Sequence, residues 1–287
     1  MAISGKFTHL LAVSGGADSM AMLHMMRNTP NIMVAHVNHQ LRPDSNLDAR
    51  LVDKFCKEHN IPCMHDVLLH PPKTGIEAWA RKKRYAFFNA LMLIYKIPIL
   101  MTAHNANDQA ETVIMRIIRG TGIKGLRGIH ETNPALQRPL LGMTKQEINA
   151  YCKTNNVPYR EDSTNTDTKY FRNKVRHTMM DGVDINSLCR IASLAESVYP
   201  KIMLMANELY NPYVTKSQNK ITITGTPEFN DLGYMYFSEL FSEWFSLTAP
   251  IYDRIRSTNP GLRIFSITQH ITCTKIKDKI EFTRTSV

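Results

Sequence analysis

No stretch of this sequence strings together the roughly 18 uncharged apolar residues that a helical membrane span needs. Met1–Lys6 also lacks the long apolar run of a secretory leader ahead of the polar Ser14-Gly15-Gly16. A membrane segment or a leader is therefore not expected, which points to the cytoplasm. The five cysteines, Cys56, Cys63, Cys152, Cys189 and Cys273, are odd in number and include no Cys-x-x-Cys pair. Their spacing supplies no zinc or iron–sulfur ligand set and reads as reduced thiols. Internal repeats and low-complexity tracts are absent, which excludes a solenoid or a disordered chain. What is present is 43% apolar residues over 287 positions, enough for a large domain and a smaller one. The formal net charge of +10 attracts polyanions, so nucleic acid is the favoured macromolecular partner.

The first half alternates β-rich runs with helical stretches. Thr8–Val13 is followed by a helix from Ala17 to Arg27, Ile32–His36 by a helix from Ser45 to His59, and Cys63–Leu69 by a helix from Gly75 to Tyr95; Pro98–Ala103 is a fourth strand. Parallel neighbours need crossover connections, so this rhythm predicts an α/β fold with a doubly wound parallel sheet. A glycine-punctuated turn, 120–128, leads to a smaller αβ stretch and a polar loop between Glu161 and Thr168. The pattern then changes to helices over Leu188–Leu209 and Asp231–Phe245 and to β-like runs at 221–224, 263–267 and 271–282. We expect a catalytic domain over 1–186 and a smaller α+β domain over 187–287. Lys275, Lys277 and Lys279 alternate along the last run, as on a strand face open to RNA or simply a solubilising edge.

The sharpest local feature is Val13-Ser14-Gly15-Gly16-Ala17-Asp18-Ser19, between a strand and a helix. Two glycines let successive N–H groups turn inward, and the helix presents its positive end to an anion. Ser14 and Ser19 add hydroxyls. This is not the Gly-x-x-x-x-Gly-Lys-Ser/Thr loop, and it has no lysine for β- and γ-phosphates. A carboxylate beside phosphate is repulsive without an intervening cation, so Asp18 implies Mg²⁺; the plainer alternative is an N-cap.

The Ser-Gly-Gly-x-Asp-Ser loop resembles the PP-loop of N-type ATP pyrophosphatases. Further motifs resemble, in order, those of tRNA(Ile)-lysidine synthetases: Ala35-His36-Val37-Asn38-His39-Gln40-Leu41-Arg42, Glu77-Ala78-Trp79-Ala80-Arg81-Lys82-Lys83-Arg84-Tyr85 and Thr102-Ala103-His104 through Asp108 to Glu111. Arg116 with Arg119-Gly120, Arg138-Pro139-Leu140-Leu141, Arg160-Glu161-Asp162-Ser163 and Arg172-Asn173-Lys174-Val175-Arg176-His177 continue the series to about residue 180. The resemblance implies a PP-loop catalytic domain that adenylates the wobble cytidine of a CAU-anticodon tRNA(Ile) and replaces AMP with L-lysine. It implies ATP and Mg²⁺ as cofactors, with ATP held by Ser14, Gly15, Gly16, Ala17, Asp18, Ser19, His36 and Arg81. Catalysis is expected from Asp18, His104, Asp108, Arg84 and Arg172, lysine binding from Asp108 and Glu111, and tRNA contacts from Arg116, Arg119, Arg172, Lys174 and Arg176. A homodimer is compatible with this reading.

Strand carboxyl ends are where open parallel sheets bind ligands, and Ser14, His36 and His104 all fall there. His36 to Arg42 would wall the adenosine, with Asn38 or main-chain groups reading the base. His104, Asp108 and Glu111 share a spacing that puts them on one face, suited to a cationic substrate; the plainer alternative is an N-cap at Asn105 or Asn107 with acids favoured by the helix dipole. Asn105 and Asn107 depart from the family pattern, where a histidine and an aspartate are common. Two other assignments stay open: a PP-loop tRNA-thiolating enzyme, which usually carries paired cysteines, and a noncatalytic tRNA binder.

Overall fold

Short apolar strands separated by amphipathic helices leave each strand with two faces to bury, and the chain resolves this with helices on both sides. The computed structural model describes residues 6–40, 45–129, 133–161, 171–225, 227, 230–244, 246–257, 263–276 and 279–284. It divides into two compact units, Met1–Ala195 and Glu196–Val287. That division lies inside a helix, a little beyond the expected boundary at 186/187.

In the first unit, β1 (His9–Ala12), β2 (Ile32–Asn38), β3 (Cys63–Val67), β4 (Ile99–Thr102) and β5 (Leu136–Gln137) form a sheet of order β3-β2-β1-β4-β5. Every pairing is parallel, with Leu11 beside both Val34 and Met101. Adjacent positions on a strand point to opposite faces. Leu11, Val34 and Met101 therefore face α1 (Ala17–Met26), α2 (Ser45–Glu58) and α6 (Lys145–Thr154), packing on Met20, Phe55 and Ile148. Leu10, Met33, Ala35 and Leu100 face α3 (Ile76–Tyr95) and pack on Ala80, Phe88 and Leu91. The sheet runs outward from β1 in one direction and from β4 in the other, so their carboxyl ends flank the crevice of a topological switch point.

Two reciprocal caps set helices beside that crevice. Asn105 caps α4 (Ala106–Ile118), accepting from the Asp108 N–H at 3.0 Å while Asp108 Oδ2 accepts from the Asn105 N–H at 3.0 Å. Thr144 and Glu147 do the same for α6. Each removes two orphan N–H groups from a helix start. The short α5 (Ile123–Leu126) follows α4. The helices α7 (Phe171–Thr178) and α8 (Ile185–Tyr210) come later, and α4 buries Ala110 and Val113 against Leu188 and Ala192 of α8.

The second unit holds an antiparallel sheet of order β6-β7-β10-β9-β8, built from β6 (Val214–Lys216), β7 (Lys220–Thr224), β8 (Arg263–Thr268), β9 (Ile271–Ile276) and β10 (Lys279–Arg284). Its core gathers Tyr210, Phe237, Phe241 and Phe282. The α+β class holds, with two corrections. The expected 231–245 helix is α9 (Asp231–Leu240), followed by a separate α10 (Ala249–Ser257). The run 271–282 is two paired strands, so Lys275 and Lys279 do not share one strand face. Lys275 Nζ donates to the Ile255 carbonyl at 3.1 Å, Lys279 pairs with Glu281, and Lys277 lies outside the described residues.

Candidate active site

The phosphate loop is braced from within. Ser14 and Gly15 donate their N–H groups to Ser19 Oγ at 3.1 and 3.2 Å, and Ser19 Oγ donates to the Gly16 carbonyl at 3.0 Å. Ser19 is buried, so in this conformation its hydroxyl shapes the loop. Gly15 sits at φ +97°, and the Arg160 N–H donates to its carbonyl at 3.0 Å. Arg160 also pairs with Asp48 at 2.9 Å, tying the chain after α6 to α2 behind the loop. Gly16, not Asp18, is the N-cap of α1, which leaves the Asp18 carboxylate available at the loop mouth. Lys145 Nζ lies 2.7 Å from Asp18 Oδ1.

Beside the loop opens a cavity of about 200 Å³, lined by Ser14, Asp18, His39, Arg81, Arg84 and His104 with a floor of Ala12, Ala35 and Val37. It lies on the α3 side of the sheet. The expectation for His36 is corrected here. Ala35 and Val37 face the cavity, so His36 between them points to the opposite face, where it is 2% exposed and its Nδ1 bonds the Val13 carbonyl at 2.9 Å. Burial holds that imidazole below its usual pKa. Asn38 is buried as well, donating to Asn46 Oδ1 and accepting from the Gln40 N–H, both at 2.9 Å. It stiffens the exit from β2, with both ends of its amide engaged inside the fold. Leu41 and Arg42 of the same motif lie outside the described residues, as do Asp162, Ser163 and Asn165.

The cavity wall is cationic. Arg81 stacks over the Tyr85 ring at 4.8 Å from its centroid. Arg84 Nε, together with Nε and Nη1 of Arg138 just after β5, is buried without a hydrogen-bond partner among the described residues. Buried donors are normally satisfied, so these point to an anionic ligand. His104 bonds Thr102 Oγ1 through Nδ1 at 3.0 Å. Burial first, then Arg138, Arg172, Arg81 and Arg84, push its pKa down to about 4. At neutral pH it is an uncharged imidazole, suited to hydrogen bonding more than to proton abstraction. Acid unfolding should report this. Between about pH 6.5 and 4 the unfolded chain protonates His104 and the folded chain does not, so stability falls as pH drops across that window. Relative to His104→Gln, the wild type should lose up to about 3 kcal/mol more there. Parallel unfolding curves of the two proteins from pH 7 to 4 would contradict the shift.

Asp108 and Glu111 come together on α4 as their spacing predicts, but they do not form a bare anionic face. Arg172 on α7 donates to Asp108 Oδ1 and to Glu111 Oε2, both at 2.7 Å, and Arg176 donates to Glu111 Oε1 at 2.7 Å. Two acids thus meet two guanidiniums. The Glu111 side chain is 3% exposed and Asp108 18%, so Glu111 is a clamp for α7 and only Asp108 borders open space. Burial pushes the Asp108 carboxyl up, against the opposing pull of Arg172. Arg176, expected to contact tRNA, is held by Glu111 through Nε and Nη2 and is 36% exposed. Arg116 is committed too, donating to the Gly125 carbonyl at 2.8 Å, while Lys174 is exposed and Arg119 lies at the exposed end of α4.

Three helix starts meet at the crevice. Asp18 is in the first turn of α1, Asn107 in that of α4, and Lys145 is the first residue of α6. Asn107 Oδ1 accepts the Lys145 N–H at 2.8 Å, which gives the departure from aspartate at 107 a structural role; Asn105 is likewise the buried cap of α4. Converging N-termini reinforce the attraction for anions. No cysteine lines the cavity among the described residues. Asp53, Cys63 and His65 do gather within 4.8 Å on α2 and β3, where His65 Nε2 and Asp53 Oδ1 are already bonded at 2.6 Å. Arg138 and Lys145 are the site residues that received no role from sequence: the first was only part of a motif, and the second meets Asp18 from 127 positions away.

Residues 4–183 match the family model of the PP-loop domain. The chain belongs to the PP-loop domain family. Within it, the chain is 39% identical over 189 residues to a tRNA(Ile)-lysidine synthase of Lactiplantibacillus plantarum, covering 62% of this chain and 42% of that protein. Similar proteins from Clostridium perfringens and Bacillus licheniformis are 38% and 34% identical, over 70% and 76% of this chain and 43% and 48% of theirs. The chain thus spans less than half the length of these curated relatives. Among solved structures, the U34-tRNA thiolase NcsA from Methanococcus maripaludis with its [4Fe-4S] cluster has a similar fold, at TM-score 0.56 and 19% identity, over 68% of this chain and 73% of that one. The parallel PP-loop sheet and the antiparallel second sheet agree with the fold class read from sequence. No described helix is long and apolar enough to cross a membrane.

Proposed function

We propose that this PP-loop protein is a tRNA(Ile)-lysidine synthetase, joining L-lysine to the wobble cytidine of a CAU-anticodon tRNA(Ile) at the expense of ATP. The observation that carries the proposal is the buried Nε of Arg84, which has no partner among the described residues, in the wall of a cavity bordered by the phosphate loop; Arg138, whose charge acts on His104 of the same wall, holds two more such donors. The resemblance to tRNA(Ile)-lysidine synthases supplies the substrate class. In the first step the cytidine C2 carbonyl oxygen attacks the α-phosphorus of ATP and pyrophosphate leaves. In the second, the lysine ε-amine attacks C2, loses a proton, and AMP departs with that oxygen. Ser14, Gly15 and Gly16 would wrap the phosphates, and Arg81 and Arg84 would hold the charge that develops on them. Asp18, with Asp108 close enough to act on its field, offers the carboxylate oxygens that Mg²⁺ prefers. Bound there, Mg²⁺ would neutralise phosphate charge. Asp108 is the acid positioned to receive the ε-amine, in exchange for Arg172.

The base must leave its stack to react, so the anticodon loop would open at the cavity, with Lys174, Arg119 and residues 187–287 contacting the RNA backbone. A thiolation reading is disfavoured by the absence of cysteine from the cavity lining. Radiolabelled lysine incorporated with Mg-ATP into tRNA(Ile) bearing CAU, and not into initiator tRNA(Met), is the expected outcome. ATP cleavage without lysine transfer would move the chain to another PP-loop modification, and no turnover would leave a noncatalytic binder. Arg84→Met should weaken ATP binding about 10- to 100-fold, the loss of a charged hydrogen bond of about 1.5–3 kcal/mol, measurable by titration calorimetry. Unchanged affinity would remove Arg84 from the phosphate site.

A further inference from the structure

The phosphate loop carries no lysine, yet a lysine from far along the chain stands at its mouth. Lys145 Nζ lies 2.7 Å from Asp18 Oδ1, with the two side chains 43% and 30% exposed. Its position is locally unfavourable: as the first residue of α6 it places a cation at the positive end of a helix. Neither solubility nor helix propensity calls for a lysine there. Its backbone is fixed from α4, because the Lys145 N–H donates to Asn107 Oδ1 and the Ala106 N–H donates to the Met143 carbonyl, each at 2.8 Å. The flexible stem is thus rooted between α1 and α4 while the ammonium remains free to swing. A half-exposed ion pair of this kind contributes little to stability, so Lys145 can relinquish Asp18 cheaply.

We propose that Lys145 is an exchangeable cation of the phosphate site: it neutralises Asp18 in the nucleotide-free protein, and when Mg-ATP binds it moves to the β- and γ-phosphate oxygens and stays with the departing pyrophosphate. The inference rests on the ATP-cleaving reading of this cavity. Asp18 alone beside phosphate is repulsive, and Mg²⁺ needs its carboxylate, so the arriving Mg²⁺ competes with the ammonium for Asp18 while the phosphates offer that ammonium a stronger partner. The released ammonium is then within a side chain's reach of the most highly charged part of the ligand. A point charge with three donors suits a pyrophosphate whose oxygens shift as the bond to the α-phosphorus breaks.

The test is calorimetric binding of AMP, Mg-ATP and Mg-pyrophosphate to the full chain, without tRNA, for the wild type, Lys145→Met and Lys145→Arg. Lys145→Met should weaken Mg-ATP and Mg-pyrophosphate about tenfold or more, as expected for a lost charge-assisted contact, and leave AMP within about twofold. Lys145→Arg should recover most of the loss. The half-saturating Mg²⁺ concentration for ATP binding should fall in Lys145→Met, because the competitor for Asp18 is gone; a purely structural lysine would not move it. Equal losses for AMP and ATP, or no loss for either, would overturn the proposal while leaving the nucleotide site intact. A wild type that binds neither nucleotide would overturn the underlying reading, and this proposal with it.

Discussion

Replacing Glu111 by alanine is expected to destabilise the first unit by about 2–3 kcal/mol, below the ~3–5 kcal/mol of a fully buried pair because the two arginines left behind are part-exposed. Glu111 accepts from Arg172 and from Arg176 and is 3% exposed, while the two guanidinium side chains are 33% and 36% exposed and keep part of their hydration when it is lost. Asp108 can compensate only in part, since one of its oxygens is spent on the Asn105 N–H. Chemical denaturation of wild type, Glu111→Ala and the triple variant Glu111→Ala/Arg172→Met/Arg176→Met separates stranded charge from lost packing. The triple variant should be more stable than the single one. A Glu111→Ala protein within about 1 kcal/mol of wild type, a typical surface-pair effect, would contradict the clamp. Glu111→Gln tests the catalytic alternative: a clamp predicts lower stability with an unchanged KM for lysine, whereas a lysine-binding acid predicts a raised KM at nearly unchanged stability.

This cluster shows what sequence reasoning can and cannot reach. The strand–loop–helix setting of the glycine pair and the strand–helix rhythm are legible because each is encoded within a few residues, whereas the cap of α4 stays open in sequence between Asn105 and Asn107. That Asp108 and Glu111 share a face also follows from helical spacing. What covers that face does not, because Arg172 lies 61 positions from Glu111 and only the folded chain brings them together. The misplacement of His36 has a different cause. All seven residues of β2 are buried, so no alternation of polar and apolar residues reveals which of them face the crevice. A polar residue at a strand end looked ligand-facing, yet its parity with Ala35 and Val37 puts it on the other side. In the second unit α10 was missed because its apolar positions are sparse among Asp253, Arg254 and Arg256, and the division of 271–282 lacks a strong turn residue.

The loop glycines, alike in sequence, should separate sharply on mutation. Gly15 stands at φ +97°, where an L-residue is strained, and a Cβ there would lie 3.1 Å from Asp48 Cβ. Strain of about 1–2 kcal/mol for the left-handed backbone adds to the displacement of α2. That displacement would also disturb the Asp48–Arg160 pair behind the loop. Gly15→Ala is therefore expected to cost about 2–4 kcal/mol and to weaken ATP binding by about tenfold, since the strained backbone and the few tenths of an ångström that Asp48 must give shift the loop N–H groups. Gly16 is different: its φ of −77° suits any residue, and the nearest atom to a Cβ is Ser14 Oγ at 3.7 Å. Gly16→Ala should cost below about 1 kcal/mol, the loss of a favourable N-cap glycine. Thermal unfolding of the two variants decides between them. Equal destabilisation would mean that loop flexibility as such, and not the approach of α2 to Gly15, sets the requirement for glycine.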